Sequence, residues 1–302
     1  MMADFFGLCE TGAAAAVEIA INSVADVNAR NENGDTPLVL AAERNTDHKV
    51  LEVLLRAGAE IETRNDRNLT PLHLSAGFNT NPEVTKALLE AGADMGARDT
   101  GNDTPLHLSA ALNSNPAVTE ALLKAGADME TINDRSDTAL HLSARFNSNP
   151  AVTEALLKAG ADMGARNTEN DTALHLSAAF NANPEVTKAL LEAGADMGAR
   201  NTANETPLHL SAALNSNPAV TEALLKAGAD MEARDTERRT PLHLSAYVNS
   251  NPEVIEALVK AGAGIQAKNE QGDMPIDLLE KNDNFSKIKG TDVYRDLCGG
   301  DR

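Results

Sequence analysis

The chain has 302 residues, a formal net charge of −19 at neutral pH, 3% aromatic residues and no tryptophan. So acidic a surface argues against non-specific nucleic-acid binding and against anionic membranes, because both need basic side chains that displace counterions. With so few rings, a core has to be assembled from many small layers of Leu, Ala and Val.

Read from its start, "MMADFFGLCETGAAAAVEIAINSVADVNAR" has no basic leader, and its apolar residues alternate with Asp, Glu and Asn. It reads as neither a signal peptide nor a membrane span, so cytoplasmic residence is expected. Residues 3–35 are expected to form a divergent N-terminal capping unit, with apolar cover from Phe5, Phe6 and Leu8 and a second helix in "GAAAAVEIAI". Cys9 and Cys298 stand at opposite ends of the chain, which suits two free thiols in a reducing compartment.

From Thr36 a single pattern takes over. Thr-Pro-Leu or Thr-Ala-Leu begins at Thr36, Thr70, Thr104, Thr138, Thr172, Thr206 and Thr240, a step of 34 residues, and Met274-Pro275-Ile276 continues it in degraded form. Residues 104–130 return unchanged at 206–232. A fixed period of 20–50 residues is the mark of a solenoid, which grows by addition rather than by splitting into domains. The spacing predicts seven full repeats over 36–273, a C-terminal cap over 274–298 and a disordered tail at 299–302.

Within one repeat, Pro105 suits the first turn of a helix, and Leu106, Ser109 and Ala110 share a face. Asn115 is an N-cap candidate, and Pro116 opens a second helix. Val118, Ala121, Leu122 and Ala125 read as its buried stripe, with Thr119, Glu120 and Lys124 outward. Gly126 falls where a left-handed C-cap is wanted. The following "ADMETINDRSD" lacks helical period and reads as a finger-like loop. Each helix is too short to stand alone in water, so each pair has to lean on its neighbours.

These motifs resemble the ankyrin repeat, whose signature is Thr-Pro-Leu-His-x-Ala followed by Leu-Leu and Gly-Ala-Asp. "TPLHLSA" occurs at 70–76, 104–110, 206–212 and 240–246, and "TALHLSA" at 138–144 and 172–178. The resemblance implies an all-α solenoid of stacked helix-turn-helix units with hairpin-like fingers between divergent caps. One extra residue in the "NSNP" turn lengthens the usual period. Where the family favours Gly in the finger, Gly34 and Gly272 keep it, and Asn68, Asn102, Asn170 and Asn204 tolerate the same backbone. Ser136 and Arg238 fit that position less easily.

The resemblance also implies a structural role for His73, His107, His141, His175, His209 and His243 rather than a metal ladder, and no Cys or carboxylate cluster accompanies them at ligand spacing. Met95, Met129, Met163, Met197 and Met231 are expected in the core. Glu120/Lys124, Glu154/Lys158, Glu222/Lys226 and Glu256/Lys260 are favourably ordered pairs on a solvated outer face, whereas Lys86/Glu90 and Lys188/Glu192 reverse the order.

In ankyrin repeats the partner meets the finger tips and the exposed side of the first helix. The inner-helix pairs here are Glu43/Arg44, Gly77/Phe78, Ala111/Leu112, Arg145/Phe146, Ala179/Phe180, Ala213/Leu214 and Tyr247/Val248. The second column, apolar from Phe78 onward, is either a docking strip or packing beneath the lengthened turn. The finger column Asp35, Leu69, Asp103, Asp137, Asp171, Glu205, Arg239 and Asp273 is mostly acidic. It either attracts a basic partner or caps the first helix.

No phosphate loop, nucleophile elbow or paired metal motif is present, so neither catalysis nor a cofactor is expected. The reading is a monomeric, non-catalytic scaffold for a protein partner, contacted through Phe78, Leu112, Arg145, Phe146, Phe180, Leu214 and Tyr247 and the fingers Asp103, Asp137, Asp171, Glu205 and Arg239. An inhibitor that masks a basic site and a structural spacer are the alternatives.

Overall fold

A computed structural model describes residues 2–23, 25–282 and 289–298. Eighteen helices and no strand occur among the described residues. They fall into two compact units, one running to Ser143 and including Ala151–Ala161, the other comprising Ala144–Pro150 and the chain from Asp162.

The first unit holds α1 (Met2–Thr11) and α2 (Ala14–Asn22), then the pairs α3 (Pro37–Arg44) with α4 (His48–Arg56), α5 (Pro71–Phe78) with α6 (Pro82–Glu90), and α7 (Pro105–Leu112) with α8 (Pro116–Lys124). It also takes most of α9 (Ala139–Phe146) and α10 (Pro150–Ala159). In the second unit come α11 (Ala173–Phe180) with α12 (Pro184–Glu192), α13 (Pro207–Leu214) with α14 (Pro218–Lys226), α15 (Pro241–Val248) with α16 (Pro252–Ala261), then α17 (Pro275–Leu279) and α18 (Asp292–Leu297). Within the first unit α1, α3, α5 and α7 pack in succession as an inner row, and α2, α4, α6 and α8 as an outer row. Within the second, α11, α13, α15 and α17 repeat the inner row and α12, α14, α16 and α18 the outer.

The local chemistry of α5 and α6 explains the pattern. Thr70 Oγ1 accepts from the His73 N–H at 3.4 Å, His73 Nδ1 accepts from the Thr70 N–H at 3.2 Å, and Pro71 occupies the first helical position. This is a capping box with imidazole in the place of the usual carboxylate. After α5, Asn79 turns the chain. Its Oδ1 accepts from the Asn81 N–H at 3.0 Å, and its Nδ2 donates to Ala42 O at 3.1 Å and Asn45 O at 2.9 Å in the preceding repeat. Asn81 then caps α6 through Glu83 N–H and donates to Thr46 O at 2.8 Å. The residue that lengthens the period therefore completes a turn whose two asparagines both reach back one repeat. At the far end of α6, Gly92 has φ of +89°, and Ala93 N–H donates to Leu88 O, the 6→1 bond of a Schellman motif.

Each finger is closed by an asparagine or aspartate. Asn65 Oδ1 accepts from the N–H groups of Arg67 and Leu69, and Asn65 N–H donates to Leu69 O. The left-handed residue of this loop is Asn68 at φ +63°, with Asn102, Asn170 and Asn204 in the same state. Ser136 and Arg238 adopt it too, at φ +58° and +59°. A β-carbon with no side-chain compensation costs about 1 kcal/mol there. Arg238→Gly is therefore expected to raise the melting temperature by a few degrees, whereas Gly272→Arg at φ +87° lowers it, as read by thermal unfolding.

Several expectations need correction. Thr119 does not face outward. It is fully buried, and its hydroxyl is 2.7 Å from Ser109 Oγ. The same Ser–Thr bond joins Ser75 to Thr85, Ser143 to Thr153, Ser177 to Thr187 and Ser211 to Thr221, fastening inner to outer helix within these five repeats. Ala125, expected in the buried stripe, is exposed at the C-cap, because the helix ends before its side chain can turn inward. The five methionines are half-buried rather than core. Lys86 and Lys188 pair with Glu83 and Glu185, three residues back, rather than with Glu90 and Glu192.

The Ser–Thr series is absent at both ends of the array. Ala41 and Leu51 replace both members in the first repeat, whereas in the last only the Thr is replaced, by Ile255, and the buried Ser245 Oγ has no hydrogen-bond partner among the described residues. An unmade buried hydrogen bond costs about 1–3 kcal/mol. Ser245→Ala is thus expected to stabilise, whereas Ser211→Ala strands the Thr221 hydroxyl and destabilises by about 1 kcal/mol. Urea unfolding of the two variants gives the opposite signs if the bond is what matters.

At the ends, α1 buries Phe5 and Cys9, and α18 buries Val293 and Leu297. The first helix expected in "MPIDLLEKND" spans only five residues. Residues 283–288, the start of the last expected cap segment, and the tail 299–302 lie outside the described residues.

Candidate protein-binding face

The inner helices end on the apolar column singled out above. Phe78 and Leu112 in the first unit are 44% and 52% exposed, and Phe146, Phe180 and Leu214 in the second are 55%, 48% and 54% exposed. Tyr247 and Val248 are also exposed. These side chains do not pack beneath the turn, because Asn79, Asn113, Asn181, Asn215 and Asn249 already fill that space and are buried. Except for Tyr247, each of these residues is the last of its helix, immediately before the asparagine, so its side chain is pushed clear of the core.

Arg145 belongs to this face in the second unit. Its guanidinium carbon lies 4.3 Å from the Phe180 ring centroid and 5.1 Å from that of Phe146, both within cation–π range. In the first unit the equivalent pair is Glu43 and Arg44, and Arg44 is bonded to Glu10 from α1. An open cleft of about 340 Å³ lies between Arg44 and Phe78, floored by Asn79 and Thr80.

The finger column is placed differently from either expectation. Thr is the N-cap of α3, α5, α7, α11, α13 and α15, so the acid before it is not the cap. Nor is the acid free at a tip. Asp137 and Asp171 are buried, and Asp103, Glu205 and Arg239 are half-buried. Asp103 Oδ1 accepts from Asn133 Nδ2 at 2.8 Å, Glu205 from Asn201 at 3.2 Å, and Arg239 pairs with the buried Asp235 at 2.7 Å. Burial pushes the Asp103 carboxyl above its usual range, opposed by the bond from Asn133. Asp103 thus ties one finger to the next, Glu205 and Arg239 brace their own fingers, and little charge is left over for a ligand.

The six histidines are fully enclosed, and their ring nitrogens are spoken for. In His73, Nδ1 accepts from Thr70 N–H, and Nε2 lies 3.1 Å from Asp103 O in the next finger. A backbone N–H cannot accept and a carbonyl cannot donate, which assigns the neutral tautomer with the proton on Nε2. His107, His175, His209 and His243 repeat this with the carbonyls of Asp137, Glu205, Arg239 and Asp273. Burial lowers the pKa of all five, to about 4 for His175 and His209. Such nitrogens are unavailable to a metal, and among the described residues no group of three or more His, Cys, Asp or Glu is placed to hold one. Where Val39 replaces His, the facing finger residue is Leu69, and the two pack with Leu74. One polar contact has been exchanged for one apolar contact.

One family of residues escaped the sequence reading. Arg30, Arg64, Arg98, Arg166, Arg200 and Arg234 recur at the repeat period, with Ile132 interrupting them. Each donates through one Nη to a carbonyl four residues on and to a second 34 residues on, as Arg200 does to Asn204 O at 2.8 Å and Arg234 O at 2.9 Å. They staple successive fingers. Their strict period was the available signal, although a surface charge column gives the same pattern.

The family model for ankyrin repeats, a three-copy unit, matches in overlapping registers over residues 6–99, 40–133, 72–167, 106–201 and 174–269. The chain belongs to the ankyrin-repeat family. The fold follows suit in this ankyrin-repeat protein: the crystal structure of the human ASB11 ankyrin repeat domain superposes with a TM-score of 0.66 at 23% identity, covering 76% of this chain and 99% of that one. A search of the curated proteins returns no match. Ankyrin repeats mediate protein–protein interaction, and no helix among the described residues is long and apolar enough to cross a membrane.

Proposed function

We propose that this ankyrin-repeat protein is a non-catalytic scaffold that docks a protein partner on the exposed ends of its inner helices. The supporting observation is the column Phe146, Phe180 and Leu214, with Phe78 and Leu112 in the other unit. A chain with six phenylalanines leaves three of them about half exposed at one repeated position. Exposed large apolar side chains in register are the usual mark of an interaction surface. The preformed helices would lose little entropy on docking. The buried Asp137 and Asp171 offer little to a basic partner, so masking of a basic site has weaker support.

The test is the double substitution Phe146→Asp with Phe180→Asp. Exposed positions predict an unchanged circular-dichroism spectrum and melting temperature within a few degrees, with loss of partner capture by at least tenfold. Unfolding of the variant, or capture at the wild-type level, overturns the reading.

A further inference from the structure

Resting on that docking face, we propose that the second unit recognises a partner segment that is largely apolar and carries one carboxylate, bound by Arg145. The guanidinium is held over Phe146 and Phe180 and makes no hydrogen bond or ion pair among the described residues. Arg166, Arg200 and Arg234 of the second unit spend donors on finger carbonyls and Arg239 on Asp235 and Glu237, while the exposed Arg238 stands on a finger and touches no aromatic ring among the described residues. Arg145 is different in kind. It is a cation fixed on two aromatic faces with its N–H groups unspent, beside a row that continues through Leu214 to Val248. A guanidinium stacked this way is preorganised for a carboxylate, which it binds bidentately.

Charge complementarity decides the class of occupant. A basic segment would meet Arg145 without a compensating acid, because the finger acid Asp171 is buried and Glu205 is bonded to Asn201 of its own finger. A strongly acidic segment is disfavoured from a distance by the net charge of −19. Screening over about 8 Å at physiological salt leaves the local contact intact. What remains is a mostly apolar segment with a single acid at the Arg145 end. Successive inner helices lie about 10 Å apart, so the row from Phe146 to Val248 is about 30 Å long. A helix of about 20 residues or an extended strand of about 9 spans it.

The experiment is selection from a displayed library of random 20-residue peptides on the full chain, with the Phe146→Asp, Phe180→Asp variant as the counter-target. Enriched peptides are expected to share one Asp or Glu flanked by large apolar residues. Replacing that acid by Gln or Asn should weaken binding to the wild type at least tenfold. Arg145→Glu should lose the same peptides by at least tenfold and recover binding when the acid is changed to Lys. Enriched peptides without an acid, or an acid whose neutralisation changes affinity less than twofold, overturn this inference and leave the docking face standing. A library from which nothing is enriched over the counter-target overturns both.

Discussion

Lowering the pH from 7 to 5 is expected to destabilise the protein. The buried histidines are neutral in the folded chain, with His175 and His209 held near pKa 4 by burial against an ordinary value of 6.5. Between those values the unfolded chain binds more protons, so stability rises with pH. The contribution is complete above about 6.5 and is lost as pH falls toward 4. For each of these two histidines it is on the order of 3 kcal/mol, of which about 2 kcal/mol is gone by pH 5. His73, His107 and His243 act in the same direction. Protonation at Nδ1 turns the acceptor of the capping box into a donor facing the Thr N–H, so the helix start and the finger contact fail together.

The chain supplies its own control, since Val39 and Leu69 do the work of the His and the finger acid without a titrating group. Transplanting that pair as His175→Val with Glu205→Leu should reduce the dependence of melting temperature on pH between 7 and 5, whatever it does at pH 7. Equal melting temperatures for the wild type at pH 7 and 5, or an undiminished slope in the variant, would refute the assignment. Carboxylates complicate the picture only below about pH 5, where repulsion begins to fall.

Local chemistry was legible in the sequence. Pro105 signalled the start of the inner helix, Asn before Pro the outer cap, and Gly126 the left-handed C-cap, because such signals are decided by residues within one turn; the inner Thr cap was missed, its role having been offered to the acid before it. The extra residue in the turn was visible as a number, but not as a ladder. Asn181 and Asn215 reach carbonyls 34 and 37 residues back, and Arg200 reaches 34 forward. Pairings at one full period look the same in sequence as solvated columns. The same ambiguity misplaced Thr119. A helical wheel assigns one buried face, but α8 buries a second strip where it meets Ser109 of α7. It also left the Phe column open between core and surface, which depended on whether asparagine or phenylalanine fills the turn. The acidic fingers misled for a related reason. The Asp103 carboxylate is matched by Asn133 of the next finger, a partner only stacking supplies, and that of Glu205 by Asn201 within its own finger.

Asn215→Asp is expected to be among the most damaging single substitutions in the second unit, although it changes one atom. Asn215 is buried, its Nδ2 donates at 3.0 Å to Ala178 O and at 2.9 Å to Asn181 O, and its Oδ1 accepts from Asn217 N–H at 3.0 Å. Aspartate keeps the last bond and sets a second oxygen against two carbonyls. An uncompensated buried charge costs about 3–5 kcal/mol. Asn217→Asp makes the contrast two residues away. There the carboxylate still caps α14 through Ala219 N–H, and the lost bond to Ala182 O is exposed, so the cost should stay under about 1 kcal/mol. Because the lost bonds join adjacent repeats, the damage is to the coupling between them. In a stack stabilised by nearest-neighbour interfaces, weakening one interface lets the two sides unfold separately. Urea unfolding of Asn215→Asp should therefore show a lower midpoint and a broadened or two-step transition, with Asn217→Asp close to wild type. A single sharp transition at the wild-type midpoint for Asn215→Asp would mean that the ladder contributes little and that apolar layers alone hold the repeats together.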